Sequence, residues 1–205
     1  MKKIQSTISF YEQKANKLIS QYETAEMSNL HTFLLENFLP NRKVLDIGFG
    51  SGRDLSFLKN NGFGIWGIDP TEEFVDYAKK RFPSEKDHFY QTSLPSLQGL
   101  PHKFFHAFEN IMLIAVWMHI PKELYRETVQ AILSLLKPQG RIVLSYSITP
   151  RTETTDRYFE NVDKEYLHRL FENEECSLIS EIANKDGLGE REITWVTEAY
   201  AYDKS

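Results

Sequence analysis

The sequence predicts an α/β protein built on a doubly wound, mostly parallel sheet. Three observations carry that prediction: short apolar runs recur with helix-length segments between them, a glycine-rich turn joins the first run to a helix, and an acidic residue closes the second run. Strands spaced by helices in this way imply parallel βαβ units with helices on both faces of the sheet.

Taken in order, Ile8, Tyr11, Ala15, Leu18 and Ile19 recur at helical spacing, and Leu30, Phe33, Leu34, Phe38 and Leu39 do so again before Pro40. Two helices therefore precede the first strand, residues 43–47. The glycine turn follows, then a helix opened by Asp54 to Leu58 that ends near Asn60, Asn61 and Gly62. Residues 64–68 read as the second strand, and Pro70 with Thr71 starts a helix running to Arg81, ahead of Pro83. Residues 88–91 form the expected third strand, the apolar residues 111–116 the fourth, and residues 141–145 the fifth, after the turn Lys137-Pro138-Gln139-Gly140. A helix over 122–136 separates the last two. Beyond Ser145 a polar segment, 146–161, leads to a helix near 163–173. Two strands close the chain, 177–183 and 192–200, joined by Asn184-Lys185-Asp186-Gly187 and expected to pair antiparallel at the sheet edge.

The bulk properties narrow the setting. A chain of 205 residues, 41% hydrophobic and 26% charged, closes a core as one domain without metal or disulfide staples. Residues 1–40 supply the leading helices, 41–145 the ligand-binding core, and 146–205 a substrate-side segment with the terminal strand pair. The net charge of -5 offers no positive field to nucleic acid or anionic lipid, which favours a small-molecule partner while leaving RNA or protein open. Cys176 is the only cysteine, so no internal disulfide forms, and the six histidines show no paired ligand spacing; no metal is expected. No apolar run nears the ~20 residues of a membrane span, and the N-terminus carries no signal-like core, so a cytoplasmic protein without membrane contact is expected.

A glycine turn between a buried strand and a helix N-terminus lets a ligand approach the backbone and presents unpaired N–H groups. Here Gly48, Gly50 and Gly52 give G-x-G-x-G, with Arg53 where the third glycine of the dinucleotide pattern G-x-G-x-x-G would fall, which weakens a nicotinamide reading. An ordinary tight turn has the same composition. Asp69 supplies the missing context, because a carboxylate after the second strand can accept from both hydroxyls of a ribose. It is also suited to capping the helix that starts at Pro70, and the two roles are compatible.

The run Val44-Leu45-Asp46-Ile47-Gly48-Phe49-Gly50-Ser51-Gly52 resembles the first motif of class I S-adenosylmethionine-dependent methyltransferases. Asp69 matches that family's acidic residue, Phe108-Glu109-Asn110-Ile111 its entry to the fourth strand, and Leu135-Leu136-Lys137-Pro138-Gln139-Gly140-Arg141 its turn into the fifth. The resemblance implies a seven-stranded sheet with an antiparallel last strand, and S-adenosylmethionine as the cofactor. It implies that Gly48, Gly50 and Gly52 form the cofactor turn, that Asp46 meets the amino group directly or through water, that Asp69 holds the ribose, and that Ile68 or Pro70 borders the adenine. Leu94-Pro95 resembles the family's Leu-Pro beside the adenine pocket. The aspartate that often precedes it is replaced by Gln91, Thr92 or Ser93, with Thr92 the expected neutral acceptor; a modified cofactor stays open.

The implied reaction is methyl transfer to a nitrogen or oxygen of a small molecule, driven largely by alignment and exclusion of water. His119, just after the fourth strand, is the candidate base, though a histidine there also serves to fix the loop. Trp117 is a candidate wall of the acceptor pocket, with the core as its other place. Tyr11 and Tyr22 lie on or near the first helix, which in this family folds over the cofactor; Tyr11 is expected on the cofactor and Tyr22 on the substrate side. The absence of an Asn-Pro-Pro-Tyr type sequence argues against methylation of exocyclic base nitrogens. A non-catalytic binding module and an NAD-type oxidoreductase remain the alternatives.

Overall fold

The computed structural model describes residues 2–150, 157–185 and 193–204. Asp186 and Gly187 of the expected terminal turn, the first residue of the last expected strand, and residues 151–156 of the polar segment lie outside the described residues.

Two helices, α1 (Lys2–Glu23) and α2 (Ser28–Asn37), precede an alternation of β1 (Lys43–Ile47), α3 (Arg53–Asn60), β2 (Gly64–Asp69), α4 (Glu72–Arg81) and β3 (Phe89–Gln91). β4 (Phe108–Ile114), α5 (Tyr125–Leu135), β5 (Leu136–Ser147), α6 (Lys164–Asn173), β6 (Cys176–Lys185) and β7 (Thr194–Tyr202) follow. They form a seven-stranded sheet of order β3-β2-β1-β4-β5-β7-β6. β7 runs antiparallel to both neighbours, β5 and β6, and the other pairs are parallel. The doubly wound sheet, its seven strands and its reversed last strand are as the sequence led us to expect.

β1 is buried on every residue but Lys43, because helices cover both faces of a central parallel strand. Leu34 of α2, Leu55 and Leu58 of α3, and Phe74 and Ala78 of α4 fill the core on one face. Ile132 and Leu135 of α5 and Leu167 and Phe171 of α6 fill the other. Local signals agree with these elements. α4 carries Glu72 and Glu73 in its first turn and Lys79, Lys80 and Arg81 in its last, matching the helix dipole. Asp163 caps α6 by accepting from the Tyr166 amide at 3.0 Å.

Several boundaries differ from expectation: β6 runs through Asn184 and Lys185 of the expected turn, β7 ends at Tyr202, and three further differences have a local cause. β4 starts at Phe108 and stops at Ile114, because Ala115 takes a left-handed φ of 60° and Trp117–His119 coil into a 3-10 turn. The apolar run 111–117 thus serves a strand and then a core-packed turn, which hydrophobicity does not distinguish. α5 begins at Tyr125, preceded by a 3-10 turn over Lys122–Leu124. The expected turn at Lys137 to Gly140 is an irregularity within β5, where the register against β4 shifts between Phe108 and Asn110.

Two buried polar groups tie the layers together. Asn110 on β4 donates to the Leu39 carbonyl at 3.0 Å and accepts from the Leu39 amide at 2.8 Å, fastening the end of α2 to the sheet. Glu198 on β7, fully buried, accepts from Tyr146 at 3.0 Å, Tyr200 at 2.8 Å and His168 at 2.7 Å. His168, Glu181 and Glu198 stand close enough to share an ion. Lys164 already lies 2.6 Å from Glu181 and 3.8 Å from Glu198, so an ammonium supplies the positive charge there. Among the described residues no helix is long and apolar enough to cross a membrane.

Removing the Asn110 amide orphans both polar groups of Leu39. Asn110→Ala is therefore expected to lower the unfolding free energy by about 1 to 3 kcal/mol per group left unpaired, read as a shifted urea midpoint at constant slope.

Candidate active site

From Ile47 the chain turns through Gly48-Phe49-Gly50-Ser51-Gly52 into α3. The three glycines take φ values of 76°, 55° and 72°, a left-handed region that costs other residues roughly 1–2 kcal/mol. At Gly48 space adds a second demand, since a Cβ would lie 2.6 Å from Cγ2 of Val116. A Cβ on Gly50 would face the Tyr22 ring at 3.3 Å. The turn is pinned to β2: the Gly48 amide donates to the Ile68 carbonyl at 2.7 Å, and the Gly50 amide to Oδ2 of Asp69 at 3.1 Å.

Oδ1 of Asp69 accepts from the Thr71 amide at 2.8 Å. α4 begins at Glu72, so Asp69 braces the approach to that helix while facing the cavity. A carboxylate has about four acceptor positions, so the two N–H bonds, with the Thr71 side chain also bonding to it, still leave acceptor capacity for a ligand's hydroxyl. The structural and the binding role are thus compatible in one side chain.

The cavity has a volume of about 340 Å³ and is lined by α1 and by residues at the C-terminal ends of β1, β2 and β4. That is the switch point of the sheet, where chain order reverses about β1. Three buried aspartates face it with different acidities. Burial, then the nearby charges of Asp54 and Asp69, push the Asp46 carboxyl well above the usual range. Burial likewise pushes Asp69 up to about 6, against the pull of the Thr71 and Gly50 amides. Burial acts on Asp54 too, but hydrogen bonding to His31 and the charge of Arg53 outweigh it and hold this group low. Arg53 makes a two-point contact with Asp54, at 3.0 and 2.8 Å, and donates to the Tyr22 carbonyl at 2.9 Å. His31 reaches Asp54 at 2.8 Å while stacked on Phe57.

At the other end, His119 projects from the turn after β4. Its Nδ1 lies 2.8 Å from the Tyr158 carbonyl, which only accepts, so the proton resides on Nδ1. In the neutral ring Nε2 is then an acceptor, and the Tyr11 hydroxyl meets it at 3.0 Å. The Tyr11 oxygen in turn accepts from Nη1 of Arg157 at 2.7 Å. Phe159 and Trp195 complete an aromatic wall, and Ser145, Asn184, Lys185 and Thr197 add polar groups.

The structure brings Asp46, Gly48, Gly50, Asp69, Pro70, Tyr11, Tyr22 and His119 to this one cavity. Four expected residues lie elsewhere. Trp117 is fully buried beneath α5 and α6, its ring 5.1 Å from that of Tyr125, because the left-handed step at Ala115 turns it into the core. Thr92 is also outside the cavity lining, its hydroxyl donating to the Gln98 carbonyl at 2.9 Å. Leu94 is core, and Gly52 caps α3. The two tyrosines exchange expected neighbourhoods: Tyr22 lies against Gly50, and Tyr11 meets His119. Arg157, Phe159 and Trp195 escaped the sequence reading. Their only signal was that the first two fall in the polar segment after Ser145, which matches no motif.

The sheet order, the glycine turn after β1 and the acid ending β2 define the class I methyltransferase type of fold. The chain belongs to the methyltransferase domain family, whose model, described as "Methyltransferase domain", matches residues 19–184. Among curated proteins it is similar to a tRNA U34 carboxymethyltransferase of Idiomarina loihiensis, 29% identical over 57% of this chain and 36% of the relative. It is also similar to a ubiquinone biosynthesis O-methyltransferase of Haemophilus ducreyi, 32% identical over 53% of this chain and 47% of the relative. The chain thus spans between a third and a half of the length of these curated relatives. Among solved structures it shares its fold with 1,6-didemethyltoxoflavin-N1-methyltransferase of Burkholderia thailandensis, at a TM-score of 0.72 and 17% identity over 95% of this chain and 84% of the other. The [4+2]-cyclase SpnF also has a TM-score of 0.72, at 13% identity over 97% and 95%.

Gly48 and Gly99 separate the two demands on the glycine turn. Both are left-handed, but a Cβ on Gly99 meets nothing within 4 Å. Gly99→Ala should cost only the backbone strain of roughly 1–2 kcal/mol; Gly48→Ala should cost about 1–3 kcal/mol more, for the collision with Val116. Equal losses in denaturant unfolding would refute the close approach.

Proposed function

We propose that the protein transfers a methyl group from S-adenosylmethionine to a nitrogen or oxygen of a small-molecule acceptor, by in-line displacement. The observation that carries this reading is the pairing, in one cavity, of a glycine cradle without Cβ atoms and two buried carboxylates, Asp46 and Asp69, with raised pKa values. Burial makes the ionised form of each costly, and a ligand bringing positive charge and hydroxyl donors relieves that cost. S-adenosylmethionine brings a sulfonium, an ammonium and two ribose hydroxyls. Asp46 suits the ammonium, Asp69 the ribose, and Gly48 and Gly50 the close passage of the chain between them; Pro70, Thr71 and Phe74 border the cavity beside Asp69. The bound cofactor supplies an activated methyl group, so alignment and exclusion of water do much of the work.

A small acceptor is supported by the net charge of -5 and by a cavity covered by α1. RNA is the second reading, supported by the tRNA-modifying name of one relative. Incubating the protein with methyl-labelled cofactor and cell extract, then separating small molecules, RNA and protein, discriminates the two. Label in the small-molecule fraction is expected; label in RNA alone would replace the acceptor class, and no label in any fraction would favour a binding module.

Calorimetry tests the cofactor end. S-adenosylhomocysteine should bind and NAD should not. Asp69→Ala should weaken S-adenosylhomocysteine tenfold or more, since unpaired ribose hydroxyls cost about 1 to 3 kcal/mol. The empty site holds Asp69 near 6, and the ionised carboxylate is the form that accepts both hydroxyls. Affinity should therefore fall as pH drops through that value, approaching tenfold per pH unit; Asp69→Asn should remove this part of the fall and leave the part that belongs to Asp46, whose carboxyl is also raised.

A further inference from the structure

The sequence points to His119 as a base acting on the acceptor directly, but its Nε2 is already engaged by Tyr11. The chain of contacts has a direction. The Tyr158 carbonyl holds the proton of His119 on Nδ1, Nε2 is left to accept, and the Tyr11 hydroxyl therefore donates to it. The Tyr11 oxygen keeps its own lone pairs, one taken by Arg157 at 2.7 Å and the other within hydrogen-bonding reach of the Tyr22 hydroxyl, which an entering acceptor hydroxyl would replace, and it lines the cavity. Both residues line that cavity, and with Nε2 engaged by Tyr11 the Tyr11 oxygen is the one of the two that an acceptor hydroxyl can donate to.

Resting on the methyl-transfer reading above, we propose that the acceptor is a hydroxyl of the phenol class, which gives its proton to the Tyr11 oxygen as Tyr11 gives its own to Nε2 of His119. Tyr11 is then the catalytic residue that touches the acceptor, and His119 the positioning residue that finally holds the proton. The balance closes. The acceptor oxygen forms its bond to methyl while the methyl–sulfur bond breaks and its pair stays on sulfur. The O–H pair remains on the new ether, and the proton leaves the His119 imidazolium for solvent.

Chemistry and surroundings favour a phenol. Tyr11 is itself a phenol, so the first transfer runs between oxygens of the same kind, and a phenol must shed its proton as it takes the methyl group, whereas a neutral amine attacks through a free lone pair. Burial raises the Tyr11 hydroxyl and the Asp69 charge adds to it, outweighing the pull of Arg157 and of a hydrogen bond with Tyr22, so the oxygen does not rest as phenolate. Its proton must move to His119 in the same step. Arg157, stacked 4.6 Å from the Phe159 ring, donates to the oxygen that gains charge during that handover. Phe159, its ring 4.7 Å from that of His119, and Trp195 offer flat apolar walls to an aromatic acceptor.

The test uses the full chain and two independent readouts. In histidine-labelled protein, two-bond proton–nitrogen spectra near neutral pH should show His119 protonated on Nδ1, and Tyr11→Phe should shift its Nε2 resonance. A proton on Nε2 in the neutral ring would overturn the relay. With S-adenosylmethionine, a panel of phenol, catechol and hydroquinone should be O-methylated. Tyr11→Phe and His119→Gln, whose amide oxygen still accepts from Tyr11, should each lower kcat about 100-fold, with KM and S-adenosylhomocysteine binding within about twofold. The acid limb of the wild-type pH profile should vanish from the residual rate of both variants. A wild-type kcat in either variant, or a change confined to KM, would overturn the relay. Bound S-adenosylhomocysteine with no phenol methylated would overturn the acceptor assignment alone, while no binding of S-adenosylhomocysteine would overturn the methyl-transfer reading itself.

Discussion

The Gly50 amide donating to the buried carboxylate of Asp69 is the contact on which the site depends. It joins the turn after β1 to the end of β2, and with the Gly48 to Ile68 bond it sets how far the backbone stands from the cavity. Gly50 can offer its N–H there only because its φ is positive, and Tyr22 packs on the face that a Cβ would occupy. Loop conformation, carboxylate orientation and the seating of α1 are therefore one coupled arrangement. In Asp69, one acid braces the fold and keeps acceptor capacity for a ligand.

Charge follows from the same geometry. Three aspartates approach one cavity, and among the described residues only Asp54 of the three has an ion-pair partner, Arg53, with His31 beside it. Asp46 and Asp69 keep the cost of burial. A buried acid without a countercharge is a poor structural device but a good receptor for a ligand that supplies the missing charge or hydroxyls. The placement of Arg53 matters in this respect. As a departure from the dinucleotide pattern it first counts only as a missing glycine, yet its guanidinium neutralises Asp54 and anchors the carbonyl of Tyr22.

The far end of the cavity is assembled from distant parts of the chain: Tyr11 from α1, His119 from the turn after β4, Arg157 and Phe159 from the segment before α6, and Trp195 from β7. The similarity in fold to a methyltransferase and to a [4+2]-cyclase alike illustrates how little the sheet says about the reaction. Chemistry is a property of the side chains that α1 and the last strands bring over the cofactor end.

By itself the sequence determined the layered sheet, the place of the glycine turn and the acid after β2, because these rest on local patterns: apolar runs, a positive-φ residue type, and a fixed offset between motif and strand. The reversed last strand was legible as two successive strands without a helix between them. Only the tertiary structure decided that Trp117 is core and Thr92 is spent on Gln98, since a single left-handed step at Ala115 and a local side-chain bond redirect residues that look exposed to the site in a linear reading. It alone could bring Tyr11 to His119 and Arg157, a contact between segments more than a hundred residues apart, which no periodicity along the chain encodes.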